Sequence, residues 1–237
     1  MSFKTPPNVS VFGGCKQTGN PEWGDRDRNR YRTILSGNIN ESTDRDNTFH
    51  VLSLNNNNTF NNLFDGLIIK DGNAPYSGGG VSISGSSDNT SLVIFRDCIF
   101  EENDSEYEGG AISSNWVTLR LENCIFEDNY ADYEGAAVSF FSNHNSTREA
   151  QLYVVNCIFE NNLAGYSGGA IEGRGINRIV GSLFMENYAK HEGGAISHFK
   201  EDSLLITNCT FVRNISEQEG EAITNFGWDS TFTFINY

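Results

Sequence analysis

The chain has 237 residues, with 31 Asp and Glu against 16 Lys and Arg, a formal net charge of −15. That balance argues against nucleic acid or an anionic membrane as partner, because both select basic faces; it reads first as plain solubility. No stretch approaches the roughly 18 apolar residues of a spanning helix, so no membrane insertion by this segment is expected, and Met1-Ser2-Phe3-Lys4-Thr5-Pro6-Pro7 lacks the apolar run of a signal peptide.

Residues 1–62 are the least regular part. Val9-Ser10-Val11-Phe12 reads as a strand stopped by Gly13-Gly14, followed by a polar loop from Gln17 to Arg32 with alternating charges in Asp25-Arg26-Asp27-Arg28. Thr33 to Ile39 and Phe49 to Leu54 are the next strand candidates, and Asn55-Asn56-Asn57-Asn58 reads as a solvated loop tip. This block is expected to form an N-terminal cap and first irregular coils, covering an edge that would otherwise pair with other chains.

From residue 63 to 237 a unit recurs. Asn123-Cys124-Ile125-Phe126-Glu127-Asp128-Asn129 runs on to Gly135-Ala136-Ala137-Val138, and the same order returns around Phe100, Phe159, Phe184 and Phe211. Each copy keeps Phe, then Asn three residues later, then a Gly-Gly-Ala-Ile-like tetrapeptide nine residues after the Phe. A weaker copy has Ile69 in the Phe place and closes with Gly78-Gly79-Gly80-Val81. The phenylalanines are roughly 25 to 33 residues apart, a solenoid period. Within a unit the apolar residues alternate, as in Leu119 and Leu121, then Cys124 and Phe126, which is the strand period. The pattern predicts an all-β fold: a right-handed single-stranded parallel β-helix with about three short strands per coil.

Stacking such coils about 4.8 Å apart turns repeat positions into columns. Phe100, Phe126, Phe159, Phe184 and Phe211 should form an aromatic stack. Asn103, Asn129, Asn162, Asn187 and Asn214 should form an amide ladder at a turn, where Asn also tolerates left-handed backbone. Cys98, Cys124, Cys157 and Cys209 fall in one inward column, read as buried free thiols rather than disulfides, since in-register Cβ atoms sit wider apart than a bridge wants. Cys15 is left over. Insertions at Ser84 to Thr90 and Ser142 to Glu149 follow equivalent strands and should project from one side. Phe232-Thr233-Phe234-Ile235-Asn236-Tyr237 aligns with Leu119 to Cys124, so the chain stops mid-coil. Either Trp228, Phe232 and Tyr237 close that end, or, as we expect, this is part of a longer chain.

The FxxN and GGAI motifs in this order resemble the β-helical passenger repeats of chlamydial polymorphic outer membrane proteins. With the opening segments Val11-Phe12-Gly13-Gly14, Thr33 to Ile39, Phe49 to Leu52 and Asp65 to Ile69, the arrangement is still closer to secreted bacterial β-helix proteins of the choice-of-anchor Q type. The resemblance covers nearly the whole chain and implies a secreted or cell-surface location. It implies little about activity, because such families are defined by scaffold.

Three constellations carry candidate chemistry. Tyr76, Tyr107, Tyr133 and Tyr166 form a column that His191 and Gln218 complete, with Glu108 and Glu134 beside it; exposed, it would offer flat rings and carboxylates to a glycan or a cell-surface protein. Tucked over the Gly-Gly turns, it would be packing. Glu101, Glu127 and Glu160 stack one residue after the phenylalanines, a like-charge ladder that Ca²⁺ would relieve, with a solvated acidic ridge as the plainer account. Catalysis of the pectate-lyase kind needs clustered carboxylates with a base, and here the carboxylates spread one or two per coil. Lys190-His191-Glu192 and His198 could meet at a coil edge, yet the place of His191 is held by tyrosine in other copies. The leading expectation is a non-catalytic, adhesin-like segment; the alternatives are a polysaccharide lyase or hydrolase of pectin-lyase-like architecture, or a structural spacer.

Overall fold

The computed structural model of the protein describes residues 2–19, 22–39, 47–56, 58–86, 91–142, 150–199, 203–226 and 232–235. The described residues form a parallel β-solenoid whose strands stack into four sheets. We name these faces A to D after a representative coil: Ile112–Asn115 on A, Thr118–Glu122 on B, Ile125–Glu127 on C and Tyr130–Ala131 on D. A coil thus has three strands of three to five residues and a two-residue fourth. Every strand pairs in parallel with its equivalent one coil away, so repeat positions fall in register: Phe100 with Phe126, and Phe126 with Phe159. Ile69 takes the same place beside Phe100, and Leu35 beside Ile69.

The early segments join the same ladders. Phe3–Lys4 pairs with Leu52–Asn55 on face A, Ser10–Phe12 with Asn61–Asp65 on face B, and Thr33–Ser36 with Leu67–Lys70 on face C. At the other end Phe232–Ile235 pairs with Leu204–Thr207, the alignment read from the sequence. Trp228 and Tyr237, and most of the two insertions, lie outside the described residues.

Alternation makes the core. On face B the strand Thr118–Glu122 buries Leu119 and Leu121 and turns its other residues outward. The phenylalanines of face C stack face to face, with centroids 4.6 Å apart for Phe100–Phe126, 4.7 Å for Phe126–Phe159 and Phe159–Phe184, and 4.9 Å for Phe184–Phe211. Parallel pairing enforces this geometry: rings on one strand position repeat at the strand spacing. Cys98, Cys124, Cys157 and Cys209 are buried free thiols, and Cys15 is an exposed one. The Cys124 thiol donates to the Phe95 carbonyl oxygen at 3.4 Å, and Ser182 continues the column with its hydroxyl on Val180 O at 3.0 Å.

The corners show where the asparagine reading needs correcting. The left-handed residue between faces C and D is the one before the ladder asparagine: Glu102, Asp128, Asn161, Glu186 and Arg213 all have φ between 50° and 55°. The ladder asparagines serve by hydrogen bonding alone. Another left-handed corner precedes face C, held by Asp97, Asn123, Asn156 and Asn208, whose short polar side chains tolerate that region. Entering face A the left-handed residue is glycine for a steric reason: a Cβ on Gly109 would lie 2.3 Å from Ile112 O.

The loop bearing Asp25 to Arg32 packs against the corner between faces B and C through two carboxylates, Asp65 and Asp97. Asp65, on face B, takes hydrogen bonds from Arg26 and from Arg96 Nε at 2.6 Å, with Arg28 Nη1 at 3.6 Å. Arg28 also pairs with Asp97.

Candidate functional site

The turn between faces D and A builds a continuous ridge. The backbone N–H of each residue in the tyrosine column donates to the carbonyl of the one before: Tyr107 to Tyr76 at 2.8 Å, Tyr133 to Tyr107 at 3.0 Å, Tyr166 to Tyr133 at 2.8 Å and His191 to Tyr166 at 2.8 Å. The rings pair along this ladder in two sets. Tyr76 and Tyr107 stack with centroids 6.3 Å apart, Tyr133 and Tyr166 at 5.0 Å, and Tyr166 meets His191 at 4.5 Å. They stand outside the core: Tyr76 is 72% exposed, Tyr107 54% and Tyr133 47%. Tyr166 and His191 are half-buried and Gln218 is exposed.

The carboxylates of the ridge divide. Glu108, Glu134, Ser167, Glu192 and Glu219 bridge in parallel one residue further on. Glu108 is partly exposed and accepts a hydrogen bond from Ser139 Oγ at 3.2 Å. Glu134, expected beside the tyrosines as an open carboxylate, is only 4% exposed. It folds over face A and accepts from Arg174 Nη2 at 2.9 Å. Arg174 Nε donates to Glu172 Oε1 at 2.8 Å, so one guanidinium holds two buried carboxylates.

The sequence reading missed Glu172 and Arg174. Their signal was present: Glu172 replaces a hydroxyl in the face A column Ser82, Ser113, Ser139, Ser197, and Arg174 stands two residues on, on the same side of the strand. Burial pushes the Glu172 carboxyl up to about 8, against the opposing charge of Arg174. Burial likewise raises Glu134, with Arg174 opposing and Glu108 adding to the rise.

The folded chain holds the Glu172 proton more tightly than the unfolded chain does, so the stabilisation is complete below the ordinary Glu range and is lost as pH rises towards 8. Glu172→Gln should therefore flatten the fall in stability between about pH 5 and 8, a fall worth about 1.4 kcal/mol per pH unit at its steepest. Urea midpoints of parent and variant across that range check this; parallel curves would contradict it.

Glu101, Glu127 and Glu160 stand in line on the outer side of face C. Lys70 heads the line and pairs with Glu101 at 3.3 Å; Met185 and Val212 continue it. Burial and the charges of Asp128, Glu160 and Glu101 raise the Glu127 carboxyl. Among the described residues no three His, Cys, Asp or Glu side chains converge as metal ligands. A straight ladder does not fit the cage of about six to eight oxygens that calcium prefers.

His198 does not meet His191 at a coil edge. It is fully buried, with Nε2 at 3.1 Å from Gly175 O and Nδ1 at 3.0 Å from Asn225 Oδ1. No helix of the described residues is long and apolar enough to cross a membrane.

Comparison with known proteins meets this geometry at one repeat. Residues 156–174 match the model of the Chlamydia polymorphic membrane protein (Chlamydia_PMP) repeat. That stretch runs from the left-handed Asn156 through Phe159, Asn162, Tyr166 and Gly168-Gly169-Ala170-Ile171 to Arg174. No curated protein matches the chain, and no solved structure does. The repeats of this chain resemble those of the chlamydial polymorphic membrane proteins, and match and solenoid together point to a segment of a surface or outer-membrane protein.

Proposed function

We propose that this segment is a non-catalytic, adhesin-like display scaffold whose D-to-A turn ridge contacts a glycan or a cell-surface protein. The supporting observation is the row of exposed tyrosines, held at coil spacing by backbone hydrogen bonds. A rigid row of amphipathic rings is a low-entropy contact surface, because little side-chain freedom remains to be lost on binding. The repeat match supports a surface setting. Tyr107→Ser with Tyr133→Ser should weaken retention on the cognate surface at least tenfold while leaving the thermal midpoint within about 2 °C, since exposed substitutions cost little stability. Undiminished retention by the double variant would overturn the ridge as the contact.

A second reading has one observation in its favour. Glu134, Glu172 and Arg174 form a carboxylate pair with raised proton affinity, and such pairs cluster at catalytic sites of acidic-polysaccharide enzymes. Against it, Glu172 is 2% exposed and both carboxylates are occupied by the same guanidinium. A display scaffold uses them to fasten the turn to face A.

A further inference from the structure

Two adjoining cavities of about 760 Å³ and 240 Å³ lie along the arginine loop, on the far side of the molecule's chemistry from the tyrosine ridge, and Arg26 and Arg28 line both. The floor of the larger is apolar: Ile68, Ile99 and Ile125 are consecutive rungs of one outward column on face C. Its walls bring in Arg32 and the amides of Asn29 and Asn123. The smaller is bounded by Arg96 and by Trp23, whose ring is 67% exposed and packs edge-on against Phe12 at 4.6 Å.

We propose that this double cavity is a binding site for a carboxylate-bearing saccharide. Charge decides the sign of the ligand. The chain carries −15 overall, yet Arg26, Arg28 and Arg32 line the larger cavity against the two carboxylates Asp27 and Asp97. Arg26 and Arg28 are spoken for by Asp65 and Asp97, and Asp27 Oδ1 caps the N–H groups of Asn29 and Arg30 at 3.1 Å and 3.0 Å. Arg32 is exposed and takes part in none of these pairs. A guanidinium so placed accepts a carboxylate through two parallel hydrogen bonds.

The remaining walls decide that the anion is a sugar rather than an acidic peptide. Side-chain amides pair with hydroxyls as donor and acceptor at once; Asn123 Nδ2 already donates to Asp97 Oδ1 at 3.2 Å, which leaves its oxygen as the acceptor. The Trp23 face and the isoleucine rungs suit the apolar face of a pyranose, and the rungs repeat at roughly the coil spacing of about 4.8 Å. That spacing is close to the length of one sugar unit and does not match alternate residues of an extended peptide.

The test is calorimetric titration of the whole chain with tetragalacturonate, with its methyl ester and with poly-glutamate. Saturable binding of the uronate is expected, weakened at least tenfold by esterification and again at least tenfold by Arg32→Gln or Trp23→Ala, with poly-glutamate a poor competitor. Two variants at opposite ends guard against a local packing defect, and their thermal midpoints should equal the parent's. The Tyr107→Ser, Tyr133→Ser double variant should bind the uronate as the parent does, which separates this site from the ridge. Equal affinity for the ester, equal competition by poly-glutamate, parental binding by both Arg32→Gln and Trp23→Ala, or no binding of uronate at millimolar concentration would each overturn the proposal.

Discussion

Asn129→Leu should destabilise the solenoid by about 2–6 kcal/mol. Asn129 is 1% exposed and its side chain makes four hydrogen bonds. Its Oδ1 accepts from Asn103 N at 3.2 Å and Asn103 Nδ2 at 3.1 Å, and its Nδ2 donates to Phe100 O and Asn162 Oδ1, both at 3.0 Å. Leucine fills the space but leaves two donors buried without partners, the Asn103 backbone N–H and one N–H of the Asn103 side-chain amide, whose other N–H still donates to Ile69 O at 3.0 Å. Each such group costs about 1–3 kcal/mol. Asn162 Oδ1 is spared because it still accepts from the backbone N–H of residue 129 at 3.2 Å. The adjacent exposed Asn161→Asp, which keeps a residue tolerant of φ 55°, should cost under about 0.5 kcal/mol. Urea midpoints give the comparison, and hydrogen exchange should locate the loss at residues 100–104. An Asn129→Leu midpoint within error of the parent would mean that the amides are not stacked as described.

Asp65→Asn is the second large effect, at about 3–5 kcal/mol, because it removes the one carboxylate on which three guanidiniums converge. Asp65 is 2% exposed, and Arg26, Arg28 and Arg96 all reach it. Burial alone would raise its carboxyl, but the hydrogen bonds and charges of Arg26 and Arg96 outweigh that and hold it below the usual range. The stabilisation is therefore present above the ordinary Asp range and is lost as pH falls through the lowered value. In the variant the guanidiniums repel, and the loop from Asp25 to Arg32 should lift from the coil. Trypsin reads this directly: cleavage after Arg28 or Arg30 should accelerate at least tenfold, with the coils beyond residue 63 still protected. Unchanged cleavage would show that the loop is held by something other than Asp65.

How much of this was legible beforehand follows from what a repeat can and cannot encode. Phe126 and Asn129 recur at fixed offsets, so register, aromatic stack and amide ladder follow from spacing alone. The ridge tyrosines were legible for the same reason. What repetition hides is contact between residues that occur once. Arg26 reaches Asp65 across 39 residues, and Arg174 reaches Glu134 across 40; neither pair has an equivalent in the other coils to announce it. Exposed and tucked readings of the ridge fit the repeat equally well, and the burial of Glu134 depends on an arginine one coil on. Likewise the left-handed corner looked like the natural place for the repeated asparagine, whereas the structure gives it to a more variable neighbour and reserves the invariant amide for hydrogen bonding.

The display reading and the enzyme reading part company in one experiment: retention of the purified chain on immobilised polysaccharides, with released oligosaccharide read from the same wells. The account predicts saturable retention with no release of unsaturated or reducing ends. Release of either, abolished by Glu172→Gln, would contradict it and make the buried carboxylate pair a catalytic centre.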